Sequence, residues 1–275
     1  MRPRICVVQF PGVNCEYETA RALEKADMDA AIMRWNEPLE AYEKFDGFVL
    51  PGGFSYQDRV RAGAMAATDE VMEVIAGQAA GGKPVLGICN GAQVLVEAGL
   101  VPGLERGKVE MALAPNSGMG RGGYYCNWVY LKVSCAPAKT AATYGLEPGE
   151  ILPVPIAHGE GRFTSCLEEL FDSLEAGEQI VFKYCHEAGA PAESFPENPN
   201  GSERMAAAIS NPAGNVVAMM PHPERCVYMR QVPGELPGRW GERRIAARYS
   251  AGAMEEDGPG ARIFRSMRKY IEGKS

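Results

Sequence analysis

The feature that most limits the folds open to this chain is the punctuation of its first hundred residues. Short apolar, largely β-branched runs end in Gly or Pro, and stretches with helical spacing follow them. Ile5 to Phe10 stops at Pro11-Gly12, after which Cys15 to Lys25 sets Tyr17, Ala20 and Leu23 at helical spacing. Ala30 to Trp35 and Gly47 to Leu50 read as the second and third strands, the third closed by Pro51-Gly52-Gly53. A helix is expected from about Ala62 to Ala80, ended by Gly81-Gly82. A buried strand, Pro84 to Ile88, runs straight into Cys89-Asn90-Gly91 and a helix to about Ala98. Strands and helices alternating through loops this short build a parallel, doubly wound α/β sheet, whose ligands sit at the carboxyl ends of the strands.

From Lys108 to Val133 the pattern turns to aromatic and β-branched residues with glycines, the mark of antiparallel strands. Ile151 to Ile156, Gln179 to Tyr184, Met205 to Ser210 and Val216 to Met220 are further strands, and Ala188 to Ser202 is loop. Residues 1–225 therefore form the main domain. Residues 226–275 form a Gly/Pro-rich, charged extension ending in a helix, Ala261 to Ile271, whose apolar face (Ile263, Phe264, Met267, Tyr270, Ile271) docks on it.

Composition removes several classes of function. With 46% hydrophobic residues the chain can bury a large core, and its net charge of −7 argues against a nucleic-acid or anionic-membrane surface. No apolar run approaches the roughly 20 residues of a membrane helix. The apolar N-terminal stretch stops too early for a signal peptide, so a cytoplasmic protein with reduced thiols is expected. None of the eight cysteines forms Cys-x-x-Cys, and no metal site is expected.

Gly87-Ile88-Cys89-Asn90-Gly91 fits the nucleophile elbow, Gly-x-nucleophile-x-Gly, with a strand before it and a helix after it. A sulfur there lies at a helix N-terminus, where the dipole favours negative charge. The other seven cysteines lack this frame and read as ordinary thiols. A cysteine hydrolase needs an imidazole and a group to orient it. Three histidines exist, and two of them, His158 and His222, stand in His-x-Glu, so that Glu160 or Glu224 could hold the ring. His222 is favoured because it follows the Val216–Met220 strand onto the same rim as Cys89, between two prolines. For His158 the nearby glycines suit close backbone packing or a loop near the substrate, the alternative being a satisfied polar turn residue. The Asn90 amide and the Gly52-Gly53 turn are the expected oxyanion donors, with Gly53 the second donor. Gly118-Met119-Gly120-Arg121-Gly122-Gly123 lacks the strand and helix of a dinucleotide site and is rejected, Asn200-Gly201-Ser202 reads as a turn, and no Walker loop occurs.

These residues carry a family resemblance. Gly87-Ile88-Cys89-Asn90-Gly91-Ala92-Gln93 with Pro221-His222-Pro223-Glu224 resembles the class I (triad) glutamine amidotransferases. Four more blocks narrow it: Phe10 to Cys15, Gly52 to Asp58, Ala157 to Gly161 and Asn198 to Ser202. Together they are similar to the glutaminase subunits of phosphoribosylformylglycinamidine synthase, of purine biosynthesis. The resemblance implies a flavodoxin-like, mostly parallel sheet with an added antiparallel segment. It implies Cys89 as nucleophile, His222 as acid and base, Glu224 as its orienting partner, and Gln93, Gly52 and His158 as substrate contacts. It also implies glutamine as substrate and transfer of ammonia to a separate synthetase subunit, often with a small third protein. That partner would use ATP and magnesium, while this chain holds no cofactor. Gln57, where the family usually has Gly, and Asn127, where it has Arg, depart from the pattern. The alternatives are a stand-alone hydrolase of the γ-glutamyl hydrolase type, disfavoured by the extra blocks, and a non-enzymatic relative, disfavoured by the intact Cys-His-Glu set.

Overall fold

The computed structural model describes residues 1–105, 107–117 and 123–273. The first half follows the expected alternation. β1 (Arg4–Gln9) leads to α1 (Glu16–Lys25), β2 (Asp29–Arg34), β3 (Gly47–Leu50), α2 (Glu70–Ala80), β4 (Val85–Ile88) and α3 (Asn90–Glu97). The middle supplies β5 (Ala112–Pro115), β6 (Tyr125–Val133), β7 (Ile151–His158), β8 (Glu160–Thr164), α4 (Leu170–Ala176) and β9 (Ile180–Cys185). β10 (Ala206–Ser210), β11 (Val216–Met219), α5 (Arg239–Ala247), α6 (Ala251–Met254) and α7 (Ala261–Glu272) complete the chain.

The main sheet has nine strands in the order β2-β1-β3-β4-β11-β10-β9-β6-β7. Its first five strands are parallel and reproduce the flavodoxin order, with β11 in the fifth place. From β11 outward every pairing is antiparallel, so the added segment extends the same sheet rather than forming a separate body. β5 and β8 pair as a small second sheet. β3 and β4 are buried throughout, as strands covered on both faces must be. α1 turns Thr19, Ala22 and Leu23 inward at helical spacing. In α3, residues 90–96 are all buried, so this helix runs inside the molecule.

The structure corrects one sequence expectation and adds two elements that the sequence pattern did not signal. The helix expected over 62–80 begins only at Glu70. Gly63 interrupts it at φ +80°, where a Cβ would stand 2.6 Å from the Gln93 carbonyl carbon. β8 follows β7 after one residue, Gly159, too short a break for any turn signal. In the extension, α5 was hidden by Pro237, Gly238 and Gly241. Gly241 is there for contact rather than for flexibility, since a Cβ would sit 1.8 Å from the Leu236 carbonyl oxygen. α7 buries Ile263, Phe264, Met267 and Tyr270. Ile263, Phe264 and Met267 belong to the main core. No helix among the described residues is long and apolar enough to cross a membrane. Of the rejected glycine run, residues 118–122 lie outside the described residues.

Candidate active site

The carboxyl ends of β3, β4 and β11, three adjacent parallel strands, deliver Gly52, Cys89 and His222 to one rim. Cys89 occupies the turn from β4 into α3 with φ +51° and ψ −106°, a conformation that costs an L-residue about 1–3 kcal/mol. Neighbouring bonds hold it there. Its N–H donates to the Met219 carbonyl at 2.8 Å, and its carbonyl accepts from Gln93 N–H at 3.1 Å. The flanking glycines are steric necessities. A Cβ on Gly87 would lie 2.5 Å from the Gly91 oxygen, and one on Gly91 only 1.9 Å from the Leu50 oxygen. Only glycine lets β3, β4 and α3 close this tightly.

His222 Nδ1 lies 2.6 Å from Glu224 Oε1, and both side chains are almost wholly buried. The i, i+2 spacing does what the sequence suggested, through a single 3₁₀ turn, Pro223–Cys226, rather than an extended strand. Burial opposes charge on this imidazole. The Glu224 carboxylate, then the sulfurs of Cys89 and Cys15, outweigh it and raise the His222 pKa well above its ordinary value. Its Nε2 is buried without a hydrogen-bond partner of normal geometry.

Gly52, expected among the substrate contacts, packs beneath this pair. A Cβ on it would come within 2.8 Å of His222 Cε1, 3.3 Å of Cys15 Sγ and 3.5 Å of Cys89 Cβ. The Phe10–Cys15 block is the lid of the same turn. Asn14 and Cys15 N–H both reach the Gly52 carbonyl at 3.2 Å, and Phe54 N–H reaches the Gly12 carbonyl at 3.0 Å. Gly53 is held at φ +149°, with Val13 backbone 2.6 Å from where a Cβ would be. Asn90 begins α3, among the N–H groups that have no partner within the helix. Its side chain is spent on structure. Oδ1 accepts from Ser55 N–H at 3.0 Å, and Nδ2 donates to Gln93 Oε1 at 3.0 Å and Asp58 Oδ1 at 3.3 Å.

Cys89, Gly53, Gln93, His158 and His222 share the wall of one cavity of about 210 Å³ with Asp58, Tyr124, Glu160 and Arg225. Gln93 Nε2 donates to the Glu160 carbonyl at 2.7 Å, tying α3 to the β7–β8 turn. His158 is buried, its Nδ1 is 3.1 Å from Asn116 Oδ1, and burial followed by the charge of His222 lowers its pKa to about 3. His186 is exposed and does not line this cavity. The Asn198–Ser202 block buttresses the turn. Asn200 Nδ2 donates to the Gly161 carbonyl at 2.8 Å, and Ser202 Oγ accepts from Phe163 N–H at 3.0 Å.

Cys15 is the neighbour that sequence reasoning left among the ordinary thiols. Arg225 Nη2 donates to its sulfur at 3.0 Å. Its sulfur and one ligating atom each of His222 and Glu224 all lie within 4.8 Å of one another, a donor set with the chemistry to hold a metal ion. Its place in the quoted Phe10–Cys15 block was the one available signal.

A thiol on a strained strand–helix turn, an imidazole braced by a buried carboxylate and glycine backbone opposite them define a site for nucleophilic acyl chemistry. The comparisons with known proteins agree with that class. Residues 2–271 match the CobB/CobQ-like glutamine amidotransferase domain. A PurQ subunit of phosphoribosylformylglycinamidine synthase from Methanothrix thermoacetophila is 46% identical over 274 residues, 98% of each chain. One from Pyrococcus furiosus is 43% identical over 225 residues, 82% of this chain and 90% of that relative. The solved structure of PurLQS from Thermotoga maritima matches with a TM-score of 0.71 at 32% identity, covering 98% of this chain and 100% of that one. The chain belongs to the CobB/CobQ-like glutamine amidotransferases and, within them, to the PurQ family.

Proposed function

We propose that this chain is the glutaminase subunit of a phosphoribosylformylglycinamidine synthase, with Cys89, His222 and Glu224 as its triad. The observation that carries the reading is the delivery of Cys89 and the Glu224-braced His222 to one cavity by adjacent strands. The Cys89 sulfur attacks the side-chain amide carbon of glutamine, and the N–H groups of Gly53 and Asn90 take up the charge that develops on oxygen. His222, already favouring its protonated form, gives its proton to the departing nitrogen, and ammonia leaves. His222 then draws a proton from water, which attacks the thioester carbonyl to release glutamate and restore the thiol. Gln93 and His158 line the substrate's path, while Gly52 leaves the space in which the triad assembles.

Ammonia released into bulk water is protonated and loses its nucleophilicity, so the product has to reach its acceptor inside a complex. The solved relative is a PurLQS assembly, which supports a synthetase subunit and a small third subunit as partners here. ATP and magnesium belong to that synthetase; this chain's own steps need only thiol, imidazole, carboxylate and backbone donors. Residues 1–225 carry all the named side chains, residues 226–275 serve as the docked extension, and the cytoplasm is the compartment that suits reduced thiols.

The test is the reconstituted complex. Cys89→Ala should abolish glutamine hydrolysis and leave ammonia-dependent synthesis intact, and a glutamine-analogue affinity reagent should label Cys89. His222→Ala should lose far more glutaminase activity than His158→Ala. Labelling of another residue, or the opposite ranking of the histidines, would overturn the assignment.

A further inference from the structure

The cavity carries more negative charge than thiol–imidazole chemistry uses. Asp58 and Glu160 both line it, and both are half-buried. Burial, then the charge on Glu160, raises the Asp58 carboxyl above its usual range, so the two acids work against each other, and the one lysine or arginine side chain among the described residues lining the cavity is Arg225. Arg225 is engaged by Cys15 and lies 3.7 Å from Glu224. The cavity is a ligand's place, because Nε2 of His158 is buried in its wall without a hydrogen-bond partner.

Asp58 is held where it is at a cost. Tyr56, Gln57 and Asp58 follow one another at φ +52°, +59° and +53°, a left-handed run that L-residues avoid. Tyr56 N–H bonds the Pro11 carbonyl at 2.7 Å, its hydroxyl bonds Asp69 at 2.8 Å, and Asn90 Nδ2 donates to Asp58 itself. Glu160 arrives from the β7–β8 turn, its carbonyl fixed by Gln93. The two acids are thus tied to Asn90 and Gln93, the two ends of the first turn of α3, immediately after Cys89. Three residues of helix rise about 4.5 Å, near the reach from the side-chain amide carbon of glutamine to its α-nitrogen.

We propose that Asp58 and Glu160 together bind the α-ammonium group of the substrate and so select free glutamine over carboxamides that lack that charge. This rests on the glutaminase reading and names how the same site chooses its substrate. A charge-assisted hydrogen bond of this kind changes affinity by about ten- to a hundredfold.

The test uses the full chain carrying Cys89→Ala, alone and with its synthetase partner, titrated calorimetrically with glutamine and with glutaramate, its analogue without the α-amino group. Glutamine should bind at least about tenfold more tightly. Adding Asp58→Asn should weaken glutamine by about ten- to a hundredfold and leave glutaramate within about threefold. Equal weakening of both ligands would mean a structural role for Asp58, and equal binding of the two by the Cys89→Ala protein would remove the anchor; either overturns the proposal. Should Asp58→Asn fail to fold, Glu160→Gln is read the same way beside the Cys89→Ala comparison. A wild-type complex that binds glutamine selectively yet never hydrolyses it would sink the functional reading and leave the anchor standing.

Discussion

His158→Gln offers a quantitative probe of the cavity wall. Asn116 Nδ2 donates to the carbonyls of His158 at 2.8 Å and Gly123 at 3.2 Å, which turns Oδ1 toward the imidazole and toward Gly161 N–H. An amide oxygen only accepts, so His158 Nδ1 carries the proton and Nε2 is bare. Burial and the charge of His222 lower the pKa of this ring from 6.5 to about 3. The sign follows from proton counting. Between those values the unfolded chain binds a proton that the folded chain refuses, so the contribution to stability is present above pH 6.5 and is lost as pH falls toward 3. Going from pH 7.5 to pH 5.0 crosses about 1.5 units of that window, worth about 2 kcal/mol at about 1.4 kcal/mol per unit. Glutamine can keep a donor on Asn116 and does not titrate. Urea unfolding of both proteins at the two pH values should show the wild type losing about 2 kcal/mol more than the variant, since contributions from other groups cancel in the difference. Equal losses, or a larger loss in the variant, would refute the claim that this imidazole is held neutral.

Three further outcomes test the frame around it. Gly91→Ala puts a methyl 1.9 Å from the Leu50 oxygen and should lower unfolding stability by about 3 kcal/mol or more, read from the denaturant midpoint. Glu224→Gln preserves an acceptor for His222 Nδ1 but removes the charge that favours its protonation; glutaminase kcat/KM should fall by about a hundredfold or more, and a loss under tenfold would contradict the triad. Val60 is 89% exposed at φ +55°, so Val60→Gly should relieve left-handed strain and raise stability by about 1 kcal/mol, measured by thermal melting.

Much of the fold was legible because its signals are local. β3 keeps the boundaries expected of it, and β1, β4 and β11 shift only by a residue or two, since short apolar runs between Gly and Pro leave little freedom. The elbow at Cys89 was legible for the same reason: its glycines, strand and helix are contiguous. Signals failed where a residue's reason lay elsewhere in the chain. Gly63 stops a helix because Gln93 crosses it, and Gly241 sits inside α5 because Leu236 does.

Chain order alone pointed to Cys89 as the candidate nucleophile and to a His-x-Glu pair as its partner, because strand–turn–helix geometry and i, i+2 spacing act within a few residues. Only the tertiary structure decided that Cys15 lies against His222, that Gly52 makes room for three side chains, and that Asp58 and Glu160 face one cavity. Those contacts join segments tens to hundreds of residues apart. They exist because the parallel sheet brings the ends of β1, β3, β4 and β11 to one rim, a register of burial and backbone pairing that no local pattern encodes.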